Sequence, residues 1–194
     1  MATYVFGDEF VRMAFAEHEA RPEQVRVHPV LDLLGRPVRG DNPLRRPRLA
    51  GGGLPGQVDA ATGAVRLTST IGGRNPAHST GVGKTLLAAQ LSTRADVAAW
   101  ADRVGLARRT PNTRCTVDEL HRDLEQIRER RYATDDQENE TGIVCLAVPV
   151  YLTSPSTPSG AHSISGLTYR TPLSTMVDAV NEVRGILGHL GEGP

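Results

Sequence analysis

Hydrophobic and polar residues follow two different periods along the chain, and each period predicts a type of secondary structure. Residues 64–71 alternate strictly between apolar and polar side chains, which predicts a half-buried strand. Residues 142–152 form a continuous apolar run, and residues 161–167 follow it after a loop with two prolines. We interpret both segments as further strands. Ser163 and Ser165 then share one face of the later strand, because side chains alternate along a strand.

Apolar residues at helical spacing predict four helices between and after these strands. The first covers residues 83–91, and the second covers residues 93–104, where Thr93 and Asp96 form a capping pair. The last begins near Thr171 and carries an apolar stripe almost to the end of the chain. Separate strands, a late hairpin and interleaved helices predict an α+β fold, in which helices pack on one antiparallel sheet.

The third helix begins after Thr116, whose spacing to Glu119 is that of a capping box. Three apolar side chains form its inner stripe: Leu120, Leu124 and Ile127. Its other positions are charged, and we expect them to form a solvated face: Glu119, Arg122, Asp123, Glu125, Arg128 and Glu129.

Residues 72–89 lead into the first helix and are rich in glycine and small polar side chains. A turn here leaves backbone N–H groups free at a helix N-terminus, where they can bind an anion or a carbonyl group. The segment ends in Gly83-Lys84-Thr85, like a phosphate-binding loop, but His78 stands where that motif needs its first glycine. We therefore expect no nucleotide. We expect Lys84 on the helix surface, and His78 to pack or to bond a loop carbonyl.

Composition narrows the remaining possibilities. The 194 residues carry 22 basic and 22 acidic side chains, so there is no overall electrostatic reason to bind nucleic acid or a membrane. No apolar run approaches the roughly 18 residues of a transmembrane helix, and the N-terminus lacks the apolar core of a signal peptide. Cys115 and Cys145 are too few for a disulfide framework. We expect a cytoplasmic protein without a metal site or a cofactor.

The first 56 residues differ in composition from the rest. Residues 34–56 hold five arginines, one acid, four prolines and a triple glycine, which predicts an irregular segment. Such a basic run can contact phosphate backbones, but a solvated linker is the simpler interpretation. We expect residues 1–56 to form a divergent or poorly ordered N-terminal region that ends in this linker, and residues 57–194 to form one domain.

A series of short blocks gives the second region its most specific signal. The blocks are Arg66–Gly72, Pro76–Lys84 with Leu87 and Ala88, Thr116 with Leu120, Leu124–Asp136 with Glu138, Gly142–Val150, and Ser163–Gly166. In order and spacing they resemble the effector-binding domain of IclR-type bacterial transcription regulators, over about residues 60–191. The resemblance implies a GAF-like or profilin-like antiparallel sheet with helices on both sides. It also implies a small-molecule effector, often a carboxylate, and a homodimer or homotetramer.

The resemblance further implies which residues contact the effector. Two would use backbone N–H groups, four would use side chains, and one would supply an apolar wall: Gly81 and Val82; Asp135, Cys145, Ser163 and Ser165; and Ile143. The pattern agrees, since a buried hydroxyl on an apolar strand needs a hydrogen-bond partner. Each residue also has a purely structural interpretation. Cys145 alone would be a small buried hydrophobe, and Asp135 alone would be a turn residue.

Members of this family usually carry a winged helix-turn-helix before the effector domain, but residues 1–56 show no such pattern. We expect DNA binding only if a winged-helix domain is supplied or if this N-terminus is not complete. Lys84 is the only lysine among 22 basic residues, which indicates a GC-rich coding sequence. Our hypothesis is that the N-terminal region is divergent, truncated or translated from a miscalled start or frame.

We interpret the chain as the effector domain of a transcriptional regulator, not an enzyme, that couples a small carboxylate to DNA binding or oligomeric state. Two alternatives stay open. The first is a small enzyme with Cys145 as nucleophile and His78 or His162 as base, although His162 points away from Ser163. The second is a vestigial oligomerisation or interaction protein without DNA binding. The effector, the operator and the oligomer size do not follow from the sequence.

Overall fold

A computed structural model describes the backbone of residues 47–51 and 54–57, together with residues 75–151 and 154–188. The elements in chain order are β1 (Pro47–Gly51), β2 (Leu54–Gln57), α1 (Gly81–Gln90), α2 (Arg94–Val104), α3 (Val117–Arg130), β3 (Ala133–Asp136), β4 (Ile143–Val150), β5 (Gly160–Leu167), α4 (Leu173–Asp178) and α5 (Val180–Gly188). No helix among these residues has the length and apolar composition that crossing a bilayer requires.

The strands form one antiparallel sheet in the order β2-β1-β5-β4-β3. The long apolar strand β4 lies between β3 and β5. Its Cys145 is paired with Asp135 on β3 and with Ser165 on β5. Because residues directly opposite each other point to the same face of a sheet, this register places all three side chains on one face.

The two faces of the sheet are covered by different helices, which confirms the α+β fold with helices on both sides. On one face, alternate residues of β4 such as Val144 and Leu146 pack against Met176 of α4 and Val183 of α5. On the other face, Ala147 packs against residues of α1, α2 and α3. Successive side chains of a strand point to opposite faces, so an almost uniformly apolar β4 fits a strand that is buried on both sides.

The helix boundaries agree with the capping signals in the sequence. Thr93 with Asp96 begins α2, and Thr116 with Glu119 begins α3. In both pairs the threonine side chain accepts a hydrogen bond from the backbone N–H of the acidic residue, and the acidic side chain accepts one from the backbone N–H of the threonine. The inner stripe of α3 is buried as predicted. The last helix differs from the prediction, since the chain turns at Ala179 and forms α4 and α5 as two short helices.

Two other predictions differ from the fold. The segment 34–56 was expected to be irregular, but residues 47–51 and 54–57 form strands that pair with each other, and β1 also pairs with β5. Asp135 alone was interpreted as a turn residue, but it lies in the edge strand β3, just before the turn. The predicted strand at 64–71 lies outside the described residues, as does the whole of residues 1–33.

Close packing at Gly83 fixes the start of α1. The Thr80 side chain caps this helix by accepting the Gly83 N–H at 3.1 Å. A Cβ atom built on Gly83 would lie 2.3 Å from the Ala77 carbonyl oxygen and 2.4 Å from the Ala77 Cα. The loop before the helix therefore folds back over the helix at a distance that only glycine permits, and its backbone would have to shift to accept any side chain.

Replacing Gly83 with alanine is expected to lower the free energy of unfolding by roughly 1–3 kcal/mol, the usual cost of overpacking. The matched control is Gly185→Ala in α5, where an added methyl group meets no described atom within 4 Å. That change should raise the free energy of unfolding by about 0.5–1 kcal/mol, because alanine is the better helix former. Urea denaturation measures both effects. Equal effects at the two positions would contradict the close packing at Ala77.

Candidate functional site

One polar row crosses the sheet face that α1, α2 and α3 cover. It consists of Asp135 on β3, Cys145 on β4 and Ser165 on β5, which are paired side by side. Ser163 lies on the same face in the next row, where it is paired with Ala147. Asp135, Cys145 and Ser163 are buried, and Ser165 is half-buried. The four side chains that the family resemblance predicts for an effector site therefore lie on one face of the sheet, in two adjacent rows.

The N-terminus of α1 lies directly against this row. A Cβ atom built on Gly81 would be 3.3 Å from the Cys145 Sγ and 3.2 Å from the Ala147 Cβ. Any larger residue at position 81 would press against Cys145 and Ala147. Glycine therefore lets the backbone at the start of the helix approach the polar row closely.

The first amides of α1 are available for hydrogen bonding. The Lys84 N–H makes the first helical bond, to the Thr80 carbonyl at 2.9 Å, and the Gly83 N–H bonds the Thr80 side chain. Within the part of the chain that the structure describes, the N–H groups of Gly81 and Val82 have no hydrogen-bond acceptor. These two donors lie at the positive end of the helix dipole, which favours an anion.

The remaining two predicted residues contribute apolar surface. Ile143 lies two residues before Cys145 on β4, so its half-buried side chain shares the face of the polar row. The Val82 side chain packs partly against the apolar cluster between α1, α2 and α3. Only its amide is therefore suited to a polar contact.

Asp135 has an unusual environment for a carboxyl group. Its Oδ1 accepts the backbone N–H groups of Glu138 at 2.7 Å and Asn139 at 3.3 Å, which closes the turn after β3. The side chain is buried, and Glu138 adds a second nearby negative charge. Burial, more than any other cause, raises the pKa of the Asp135 carboxyl to about 7.

Lys84 is buried, which shows that the prediction of a surface lysine was wrong. Its side chain is 0% exposed, and its Nζ donates at 2.6 Å to Asp123 Oδ2 and at 2.6 Å to Glu138 Oε1. The reason is geometric: Lys84 is three residues after Gly81 and four before Ala88, so it lies on the face of α1 that turns towards the sheet.

Asp123 corrects a second prediction, since it is buried and does not belong to the solvated face of α3. It follows Leu120 by three residues and precedes Ile127 by four, which is the spacing of the buried stripe. Two features of the sequence could have revealed the buried ion pair: this spacing of Asp123 on α3, and the single lysine at an inward position of α1. Arg130 at the end of α3 approaches the other oxygen of Asp123 at 3.6 Å.

Glu138 joins the turn between β3 and β4 to this cluster. Burial raises the pKa of its carboxyl group, although the Lys84 ammonium opposes that shift. Thr113 donates to the Glu138 carbonyl at 2.7 Å, so the loop before α3 also holds this turn. The ion cluster of Lys84, Asp123 and Glu138 thus connects the start of α1, the middle of α3 and the turn that the Asp135 side chain closes.

The histidines do not form a catalytic pair with Cys145. Nε2 of His78 lies 3.0 Å from the Ala107 carbonyl oxygen, in agreement with the expected loop contact. His162 is paired with Val148 and lies on the opposite face of the sheet from Ser163. Neither of its ring nitrogens has a hydrogen-bond partner among the described residues, and burial lowers its pKa to about 3. Neither His78 nor His162 is therefore placed to act as a base for Cys145.

Known proteins match both the sequence and the fold. A family of domains described as "Bacterial transcriptional regulator IclR C-terminal" matches residues 56–186. The regulator KdgR of Dickeya chrysanthemi is 40% identical over 87 residues, which are 45% of this chain and 28% of that protein. The chain therefore matches less than a third of that relative. The match to the crystal structure of Thermotoga maritima IclR covers 97% of this chain and 75% of that chain, with a TM-score of 0.73 and 23% sequence identity.

A third comparison concerns a protein with a bound acid. The inducer-binding domain of a double mutant of PobR from Acinetobacter, in complex with 3-hydroxybenzoic acid, is 27% identical to this chain. The match covers 67% of this chain and 74% of that domain, with a TM-score of 0.60. The matched curated relatives are transcriptional regulators and repressors, not enzymes.

Replacing Lys84 with methionine is expected to destabilise the fold by about 3–5 kcal/mol at pH 8, because it removes the ion-pair partner of the buried Glu138 and the nearer of the two partners of Asp123. The loss should shrink as the pH falls towards 5. Without the ammonium the pKa of Glu138 rises further, and a carboxyl group with a raised folded-state pKa loses stability as the pH rises. Urea denaturation at several pH values measures this change. The control is Arg94→Met, which breaks the exposed pair with Asp118 and should change little. A pH-independent loss would contradict the charged cluster.

Proposed function

Because the chain belongs to the IclR-type bacterial transcriptional regulators and contains their effector domain, we propose that it binds a small organic acid between α1 and the polar row of the sheet. The carboxylate of the acid accepts the N–H groups of Gly81 and Val82. The rest of the molecule lies over Cys145 and meets the side chains of Asp135 and Ser165. We refer to this space as the acid site.

One observation carries the proposal. Two amides at a positive helix end have no acceptor among the described residues, and this helix end lies against a row of polar side chains with no side chain at Gly81 to separate them. Backbone amides at a helix N-terminus suit a carboxylate. Carboxyl, thiol and hydroxyl groups opposite them suit a ligand that also carries a hydroxyl or a carbonyl group.

The comparison with PobR supports the same chemistry. That inducer-binding domain holds 3-hydroxybenzoic acid, a compound with one carboxyl and one hydroxyl group. We transfer only this chemical class to the present chain. The apolar share of the face, from Ile143 and Ala147, fits the carbon skeleton of such an acid.

Binding is proposed to act on the assembly of the regulator. A ligand between α1 and the sheet strengthens the contact of α1 with β4 and with the turn after β3, and α1 is held to α3 by the ion cluster. The ligand thereby biases the arrangement of these helices, and through it a homodimer or homotetramer and its contact with operator DNA. An oligomeric interaction protein without DNA binding is the alternative.

Thermal melts against carboxylates test the acid site directly. We expect at least one of acetate, pyruvate, lactate, benzoate and 3-hydroxybenzoate to raise the melting temperature at millimolar concentration. A ligand at about 100 times its Kd stabilises by about 2.7 kcal/mol. The matched amides, such as benzamide and lactamide, are the control, since they lack the negative charge. If no acid shifts the melt, or if acids and amides act equally, the proposal fails.

Replacing Ser165 with alanine should weaken binding of the stabilising acid by roughly tenfold, the loss of one hydrogen bond of about 1.4 kcal/mol. Isothermal titration calorimetry measures the Kd. Ser156→Ala is the matched control, because Ser156 is exposed in the loop between β4 and β5 and should leave the Kd unchanged. Equal affinities for the two variants would exclude Ser165 from the site.

A further inference from the structure

The acid site has more acidic groups than basic ones. The ammonium of Lys84 is shared by Asp123 and Glu138, each at 2.6 Å. Asp135 lies beside this cluster and has no ion-pair partner within the described residues. A bound carboxylate would bring a further negative charge to the same face of the sheet. The partial positive charge of one helix N-terminus, about half a unit, does not neutralise both Asp135 and the ligand.

From this geometry we propose that the acid site takes up one proton together with its organic acid, and that Asp135 receives the proton. The inference rests on the proposed function, because it concerns the same site and the same class of ligand. It adds a linkage between effector affinity and pH, and it assigns that linkage to one residue.

The hydrogen bonds of Asp135 show where the proton is held. Oδ1 already accepts two backbone N–H groups, from Glu138 and Asn139. Oδ2 receives no hydrogen bond from the described residues, so it is the oxygen that can carry a proton. A protonated Oδ2 donates to an oxygen of the ligand and converts a repulsion between two carboxylates into a hydrogen bond. The proton comes from solvent, and no covalent bond changes.

The groups that face Asp135 come from several elements. Glu138 on its own turn opposes its ionisation, and Lys84 on α1 favours it. Cys145 is its neighbour across the strand pair on β4. Asp123 and Arg130 on α3 lie behind the lysine. Burial outweighs these groups, since the pKa of Asp135 is raised to about 7. The carboxyl group is therefore poised to change its charge near neutral pH.

Calorimetry in two buffers measures the proton directly. The acid that gives the largest shift in the melts, with 3-hydroxybenzoate as the first probe, is titrated into the protein in phosphate and in Tris. At pH 7.5 the wild-type protein should take up more than about half a proton per ligand, and only about a tenth at pH 6. The Kd should fall roughly tenfold between pH 8 and pH 6.

Asp135→Asn is the informative variant, because the asparagine oxygen can still accept both turn amides. It should bind the acid with no proton uptake and with a Kd independent of pH. Asp136→Asn is the matched control, since Asp136 is the exposed neighbour on β3. That variant should take up the proton as the wild type does. Uptake that persists in Asp135→Asn would overturn the assignment to Asp135.

Unfolding measurements without a ligand test the raised pKa of Asp135 in the free protein. The pKa of Asp135 is about 7 in the folded protein and about 4 in an unfolded chain. Its contribution to stability is therefore complete below pH 4 and is lost as the pH rises through 7. The wild-type protein should lose stability relative to Asp135→Asn between pH 4 and pH 8. Parallel stability curves for the two proteins would overturn the inference.

The outcomes separate this inference from the proposed function. Acid binding without proton uptake leaves the acid site in place and overturns only the linkage. No binding of any acid at pH 6 or pH 8 overturns both. Uptake that is abolished by Asp135→Asn and kept by Asp136→Asn supports both.

Discussion

The ion cluster of Lys84, Asp123 and Glu138 is the interaction on which the proposed acid site depends. It joins three parts of the chain that lie far apart in sequence, and it is shielded from solvent. Burying three charges has a large desolvation cost, so such a cluster is weak evidence for stability in itself. The cluster instead fixes positions. Through one ammonium group it holds the start of α1 and the turn that Asp135 closes to α3. We propose that this cluster holds the parts of the acid site in place.

The sheet separates this charged side of the molecule from an apolar one. Between the sheet and the helices α4 and α5, the packing consists of aliphatic side chains, and His162 is held there as a neutral group. Between the sheet and α1–α3, the small residues Gly81 and Ala147 let the start of α1 pack closely against the polar row. The chemistry that can recognise a ligand is therefore concentrated on one face, and the other face supplies packing.

Local signals in the sequence account for much of the fold. The capping threonines, Thr93 and Thr116, mark helix starts because their side chains bond amides only three residues away. The shared face of Ser163 and Ser165 follows from strand alternation alone. Of the proposed acid site, the two serines and the start of α1 could be predicted from the sequence pattern. The resemblance to the IclR family added Asp135, Cys145 and Ile143.

The remaining features depend on contacts between distant segments, which local patterns do not contain. The position of Lys84 on α1 indicates an inward side chain, but its partners Asp123 and Glu138 are brought to it only by the packing of α3 and of the turn after β3. β1 lies in a segment whose arginines, prolines and glycines predict a loop, and its pairing with β5 overrides that preference. The raised pKa of Asp135 likewise arises from tertiary burial.

The most direct test of the acid site is a titration of the isotopically labelled protein with the acid that stabilises it, followed by amide NMR. A carboxylate on α1 should move the amide proton signals of Gly81 and Val82 downfield, because both would gain a charged hydrogen-bond acceptor. Smaller shifts should appear at Asp135 and Cys145, and Val183 on the far face should stay unchanged. Shifts centred on α4 and α5, or none at Gly81 and Val82 with the acid bound, would contradict this account.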